Sequence, residues 1–181
     1  GCDRPGTLLC PHCRAALPWI DQRWACLNCG APAGWLACSE CDEPWETRTV
    51  ACALPFAGVG TRLVTAYKDE RRLAPVLAVA IACALDEARA WPAPDSRPRF
   101  DPAATDALCF VPATERAFVR RGFDHMEGVA RALSALEGIP MADVLARGPA
   151  RDQRSLGRSE RAANLRDSVE VVSDVAGLSL L

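Results

Sequence analysis

The chain has 181 residues, half of them hydrophobic and 24% charged, with a formal net charge of −2. That balance excludes a disordered chain and one that binds nucleic acid over its whole surface, and it supports a sizeable core. The longest apolar run, Leu73 to Leu85, is too short to span a bilayer, so no membrane span is expected and the composition suits a cytoplasmic protein.

Three Cys-x-x-Cys pairs occupy the first 41 residues: Cys10/Cys13, Cys26/Cys29 and Cys38/Cys41. A two-residue gap wraps a tight turn that brings both thiolates to one metal ion, and two such pairs close a tetrahedral four-sulfur site for Zn2+. Gly30, directly after Cys29, suits the left-handed backbone such a turn needs. A disulfide framework and a thioredoxin-like redox pair are the competing readings. The first needs an oxidising compartment, and the second needs a single pair beside a βαβ unit. Structural zinc is preferred, with Cys26, Cys29, Cys38 and Cys41 forming one complete ribbon. Cys10 and Cys13 then need a mate, and Cys2 is expected to be half of a fourth pair that begins before Gly1. His12 is read as a solvated turn residue, with a ligand role as the alternative. Trp19, Trp24, Trp35 and Trp45 concentrate in the same stretch and are read as packing in a module with little core. The ribbon is assigned to residues 1–47 and an α/β domain to 48–181.

In that second part, Val50 to Phe56 reads as a strand, Gly58 and Gly60 as a turn, and Arg62 to Lys68 as a short helix. The next helix places Leu73, Val76, Leu77, Ala80, Ala84 and Leu85 on one stripe, with Pro75 tolerated in its first turn. Cys52 and Cys83 are expected to be small buried apolar residues. Trp91 to Pro102 is a Pro-rich loop, and Ala107 to Val111 a buried strand. Asp124 caps the following helix, Glu127 completes a capping box, Met126, Val129, Ala130 and Leu133 form its apolar face, and Gly138 ends it. Strand, loop and helix make a βα unit of a parallel sheet, which puts any ligand beyond the carboxyl end of the strand, at Pro112 to Phe123.

Charge is uneven there. Pro112 to Phe123 holds Arg116, Arg120 and Arg121 against Glu115 alone, and Arg147 to Arg166 holds six arginines against Asp152 and Glu160. Guanidinium groups bind phosphate through paired charge-assisted hydrogen bonds, so an anionic ligand is one reading. A solvated helix face over Arg154 to Arg166 is the other.

In order, Val111-Pro112, Arg116, Arg120-Arg121-Gly122-Phe123, Gln153, Leu156, Arg158-Ser159-Glu160-Arg161 and Asn164-Leu165 resemble the competence protein ComF family. So do Leu17-Pro18-Trp19, the Cys26 to Gly30 pair, and Lys68 with its charged turn. The family joins a cysteine-rich zinc ribbon to a type I phosphoribosyltransferase domain and is associated with DNA uptake. The resemblance implies an α/β fold with a phosphoribosyltransferase-like parallel sheet flanked by helices. It places Val111, Pro112, Ala113 and Thr114 in a pyrophosphate loop, with Arg116 and Gly122 in the same stretch, and Gln153 through Asn164 in a loop that folds over phosphoribosyl pyrophosphate. Arg120, Arg121 and Arg161 would aid charge stabilisation on the leaving pyrophosphate, with Mg2+ neutralising it.

The chain departs from the family at Phe110, where a second proline is usual, and at Asp124-His125, where Asn-Gln usually follows the Arg-Gly-Phe motif. His125 is read as an exposed helical residue, with general base as the alternative. The family's paired acids and Thr-Thr-Gly-like turn, which hold ribose and the 5'-phosphate, do not occur in these 181 residues. The strand that carries them would start near Ser179-Leu180-Leu181, and Asp174 is no substitute. The 181 residues alone are therefore expected not to turn over phosphoribosyl pyrophosphate, whether as part of a longer frame or as a degenerate member. The alternative function is a non-enzymatic competence factor that binds single-stranded DNA or a DNA-translocating helicase.

Overall fold

The computed structural model describes residues 5–41, 46–148, 157–166 and 168–181. Its elements are α1 (Pro11–Ala15), α2 (Gly58–Tyr67), α3 (Ala74–Arg89), α4 (Glu115–Arg121), α5 (His125–Glu137), β1 (Leu145–Arg147), α6 (Arg158–Leu165) and β2 (Val169–Val171). The fold is mixed: helices with a small antiparallel sheet in which Leu145 faces Val171 and Arg147 faces Val169. Two compact units divide the chain, Gly1–Ala103 and Ala104–Leu181, so the boundary expected at 47/48 falls within the first. None of the helices in the described residues is long and apolar enough to cross a membrane.

In the first unit, α3 buries Ala74, Ala78, Ala80, Ala84, Leu85 and Ala88, following Leu73 in the preceding 3-10 turn. The expected stripe is thus present, with Val76 and Leu77 only half-buried. Its many alanines let neighbouring segments approach closely. Cys83 is not buried as expected: positions 79, 83 and 86 share the solvent face of α3, and the Cys83 side chain is exposed. Cys52 is half-buried, and burial pushes its thiol pKa up. The glycines expected to form a turn instead start α2. Gly60 is buried in its first turn, where a Cβ would stand 2.5 Å from the Pro55 carbonyl oxygen.

Val50 to Phe56 does not form the expected strand. The segment pairs irregularly with the cysteine-rich part: the Val50 N–H donates to the Leu27 carbonyl at 2.9 Å, and the Ile20 N–H to the Ala53 carbonyl at 3.0 Å. Pro55 ends any regular pairing, because it has no N–H to give. Between those two bonds sits Gln22, only 1% exposed. Its side-chain amide donates to the carbonyls of Ile20 (2.8 Å) and Cys52 (2.9 Å), its backbone N–H donates to Glu87 Oε1 on α3 (3.1 Å), and its carbonyl accepts from Arg99 Nη1.

In the second unit, residues 107–109 are extended and lie between two parallel neighbours. Ala107 bridges Leu180, and Leu108 bridges Met141. The Leu108 N–H donates to the Pro140 carbonyl (2.8 Å), and the Cys109 N–H to the Leu181 carbonyl (2.8 Å). Among the described residues the phosphoribosyltransferase-like parallel sheet expected from the resemblance is not formed. The parallel pairing stops at single bridges because Pro112 follows the central segment and Pro140 lies on its neighbour, each without a donor for a longer ladder. The regular strands are β1 and β2, which are antiparallel.

α5 follows its sequence signals closely. The Asp124 carboxylate accepts from the N–H groups of Met126 and Glu127, Gly138 closes the helix at φ 71°, and Val129, Ala130 and Leu133 are buried. Met126 is exposed, against expectation, and the Glu127 carboxylate pairs with Arg131 at 2.6 Å. Pro112 to Phe123 is not wholly a loop. Thr114 caps α4 through the Ala117 N–H, Glu115 and Arg120-Arg121 complement the two ends of its dipole, and Gly122 stops it at φ 75°.

Replacing Gln22 by Ala would strip the Ile20 and Cys52 carbonyls of their donors. Unfolding in urea should show a loss of about 1–3 kcal/mol, against a change within about 0.5 kcal/mol for the exposed Arg14→Ala.

Candidate metal centre and candidate anion site

The segment from Cys26 to Cys41 is shaped by tight turns. The Gly30 N–H donates to the Cys26 carbonyl and the Cys26 N–H to the Ala31 carbonyl, both at 2.9 Å, closing the first Cys-x-x-Cys turn. Gly30 has φ 72°, as the sequence implies, and a Cβ there would stand 2.5 Å from Cys52 Sγ. The chain then turns back through Gly34. A Cβ on Gly34 would meet Cys26 Cβ at 2.7 Å and Cys38 Sγ at 3.2 Å, so only glycine lets the second pair reach the first.

As a result the sulfurs of Cys26, Cys29, Cys38 and Cys41 all lie within 4.8 Å of one another. Cys26 and Cys41 are 3.6 Å apart at sulfur, as are Cys29 and Cys38. A tetrahedral ion with metal–sulfur bonds of about 2.3 Å sets its ligand sulfurs about 3.8 Å apart, so these thiols fit such an ion. No disulfide joins the described cysteines. The thiols titrate apart: the Glu40 N–H holds Cys38 down to about 7, while partial burial and hydrogen bonds with the neighbouring thiols push Cys41 up to about 12. Cys29 is also raised, chiefly by burial. Four thiolates at this spacing repel one another, and a bound cation is what would let all four ionise. The cluster can therefore hold a metal such as zinc, and four protein ligands leave no open position on it.

Cys10 caps α1, and its sulfur accepts the Cys13 N–H at 3.4 Å. Cys2, their expected partner, lies outside the described residues. His12 is exposed on α1. Trp19, Trp24 and Trp35 are each half-exposed, with the Arg23 guanidinium 4.7 Å from the Trp24 ring and 4.9 Å from Trp91. Trp45 lies outside the described residues.

The second cluster surrounds Pro112 to Thr114, beyond the carboxyl end of the 107–109 segment. Asp124 holds this loop as well as its own helix: Oδ2 accepts the Ala113 N–H at 2.6 Å, and Oδ1 accepts the Met126 N–H at 2.7 Å. His125 is half-buried, not exposed as expected, and its Nδ1 lies 3.4 Å from Arg121 Nη1. An arginine can only donate, so Nδ1 accepts in this pair. Arg147, the last residue of β1, donates from Nη1 to the Pro112 carbonyl at 3.4 Å. Loop, helix start and strand end are thus joined by side chains of one small cluster.

Of the residues singled out from the sequence, Pro112 and Ala113 are held here by Arg147 and Asp124, Arg121 reaches His125 beside Asp124, and Thr114 and Gly122 cap α4. Val111 is exposed, as are Arg116 and Arg120 on α4. Arg161 is exposed and Asn164 half-buried on α6, while Gln153 lies outside the described residues. In the sequence Arg147 is one of six arginines between 147 and 166, with no motif to set it apart. Its signal was position, at the end of Val144-Leu145-Ala146 and directly before Gly148-Pro149. The double duty of Asp124 was likewise visible only in part, as a helix cap.

No protein-family model, curated protein or solved structure matches this chain.

Metal analysis of the purified protein should find at least one zinc per chain, and Gly34→Ala should lower that occupancy severalfold by separating Cys26 from Cys38. Full occupancy in Gly34→Ala would contradict the close approach described above.

Proposed function

We propose that the chain is a ComF-type, phosphoribosyltransferase-like protein of the DNA-uptake machinery that in its full-length form binds phosphoribosyl pyrophosphate at the Pro112–Thr114 loop, and that it also carries a structural zinc ribbon. One observation carries the reading: a loop beyond the end of a parallel-bridged segment, gathered by Asp124, with the Arg147 guanidinium on its Pro112 carbonyl and the Arg121 guanidinium on His125, the residue next to Asp124. Ligands of open α/β folds bind in that position. The order of the parallel neighbours, 140–142, 107–109 and 179–181, supports the same reading, as does α5 lying between 107–109 and 140–142 in the chain. The Cys26, Cys29, Cys38 and Cys41 cluster would hold Zn2+ in a closed, structural role.

In a longer chain that also holds the ribose and the 5'-phosphate, Arg121 would stabilise the negative charge that builds on pyrophosphate as it leaves, because a guanidinium held ready needs no reorganisation at that moment. Mg2+, arriving with the donor, supplies further charge neutralisation. Arg120 and Arg161 would act from the exposed rim, where a ligand or a closing loop brings them in. The acceptor nucleophile is assigned to no residue.

A second reading, direct binding of single-stranded DNA or a helicase, is favoured by the half-exposed Trp19, Trp24 and Trp35 with Arg23 stacked between Trp24 and Trp91. Bases stack on such rings. Calorimetric titration of phosphoribosyl pyrophosphate with Mg2+, into residues 1–181 and into any longer chain that contains them, separates the two. Saturable binding that Arg121→Ala abolishes is expected. Absence of binding in both chains, together with single-stranded DNA affinity that falls steeply with salt and with Trp24→Ala, would establish the second reading instead.

A further inference from the structure

Among the described residues, two side-chain nitrogens are buried and have no hydrogen-bond partner: Nε of Arg121 and Nε of Arg147. Both belong to the cluster around Pro112 to Thr114, although they arrive from different elements. Arg121 ends α4, inside the Arg-Gly-Phe stretch, whereas Arg147 ends β1 and lies 26 positions further along the chain. Among the described residues each makes one long hydrogen bond of 3.4 Å, Arg121 to His125 and Arg147 to the Pro112 carbonyl. Most of the five donors on each fork are therefore uncommitted.

Charge sharpens the point. A guanidinium stays protonated at any physiological pH. Among the described residues neither of these two forms an ion pair, whereas Arg72, Arg89, Arg97 and Arg131 all do. The nearby carboxylate, Asp124, is spent on three backbone N–H groups, those of Ala113, Met126 and Glu127. A half-buried pair of cations with orphaned inner N–H groups is unfavourable in itself, and an oxyanion that presents several acceptors at once relieves both defects.

We propose that Arg147 is the second guanidinium of a diphosphate-binding clamp, acting with Arg121 across the Pro112–Thr114 loop. The inference rests on reading that loop as the anion site of the function proposed above, and it adds a residue outside the Arg-Gly-Phe motif. Its bond to the Pro112 carbonyl also makes Arg147 the tie between β1 and the loop. The fork therefore meets the ligand from the β1 side, while Arg121 meets it from the helix side. Two fixed cations suit a diphosphate better than a carboxylate, which offers one charge and two oxygens.

The test titrates inorganic pyrophosphate with Mg2+ into the wild-type chain and four variants: Arg147→Gln, Arg147→Lys, Arg121→Gln and, as control, Arg131→Gln. Loss of a charge-assisted pair should weaken binding about 10- to 100-fold in the two neutral variants at positions 121 and 147. Arg147→Lys, which keeps charge but not the fork, should fall between wild type and Arg147→Gln, and Arg131→Gln should match wild type. Circular dichroism and thermal unfolding identify any variant that has lost its fold, in which case Arg147→Lys decides. Unchanged affinity in the folded Arg147 variants, equal weakening in Arg131→Gln, or no pyrophosphate binding at all would overturn the proposal. Phosphoribosyl pyrophosphate binding that needs Arg121 but not Arg147 would sink this inference and leave the proposed function standing. Pyrophosphate binding that needs both arginines, without added affinity for the phosphoribosyl donor, would do the reverse.

Discussion

A cysteine-rich stretch of about forty residues buries few large side chains, so its backbone polar groups need partners that no regular strand supplies. Gln22 meets that need. It places four hydrogen bonds in one buried spot: two from its amide to the carbonyls of Ile20 and Cys52, one from its N–H to Glu87, and one accepted from Arg99. The 20–22 turn, the 50–53 segment, α3 and the Pro-rich 91–99 loop all meet there. Left unsatisfied, any one of these groups costs about 1–3 kcal/mol. Satisfied together, they set the position of the cysteine turns on the helix.

Arg99 shows what this arrangement tolerates. Burial lowers the pKa of its guanidinium, yet the group stays charged. The Gln22 and Pro92 carbonyls and the Trp35 ring, 5.1 Å away, replace the water it has lost. Trp35 in turn stands between Gly34 and the second cysteine pair, and its N–H donates to the Trp24 carbonyl at 3.0 Å. The Trp35 ring therefore packs on Arg99, next in sequence to the Gly34 turn of the four-sulfur cluster. A metal held by the four sulfurs would support the hydrogen-bond hub: it would draw the two Cys-x-x-Cys turns together, while the hub anchors the chain on either side.

The second unit uses a carboxylate in the same economical way. Asp124 caps α5 and also grips the Ala113 N–H, so a single side chain orders the helix start and the loop before it. Its oxygens accept from backbone donors, and among the described residues it forms no ion pair with Arg121 or Arg147.

Much of the local structure was legible from the residues. Asp124 and Gly138 bracket α5, Pro75 sits in the first turn of α3, Gly30 takes a positive φ, and the spacing of Cys26, Cys29, Cys38 and Cys41 yields a four-sulfur cluster. All of these depend on neighbours within a few positions or on a short-range repeat, and such rules act on the chain locally. What failed depended on partners far along the chain. Val50 to Phe56 has the apolar content of a strand, but its donors and acceptors are claimed by the cysteine turns and Gln22. Cys83 looked like a core residue until helix phase turned it to solvent. Arg147 was one arginine among six, and only the packing of β1 beside Pro112 distinguishes it from the rest. The sequence by itself determined the caps, the turns and the ligand spacing, because these are properties of adjacent residues. Tertiary structure alone decided which polar groups are left unpaired and which charges meet, because burial and long-range hydrogen bonding exist only once distant segments pack together.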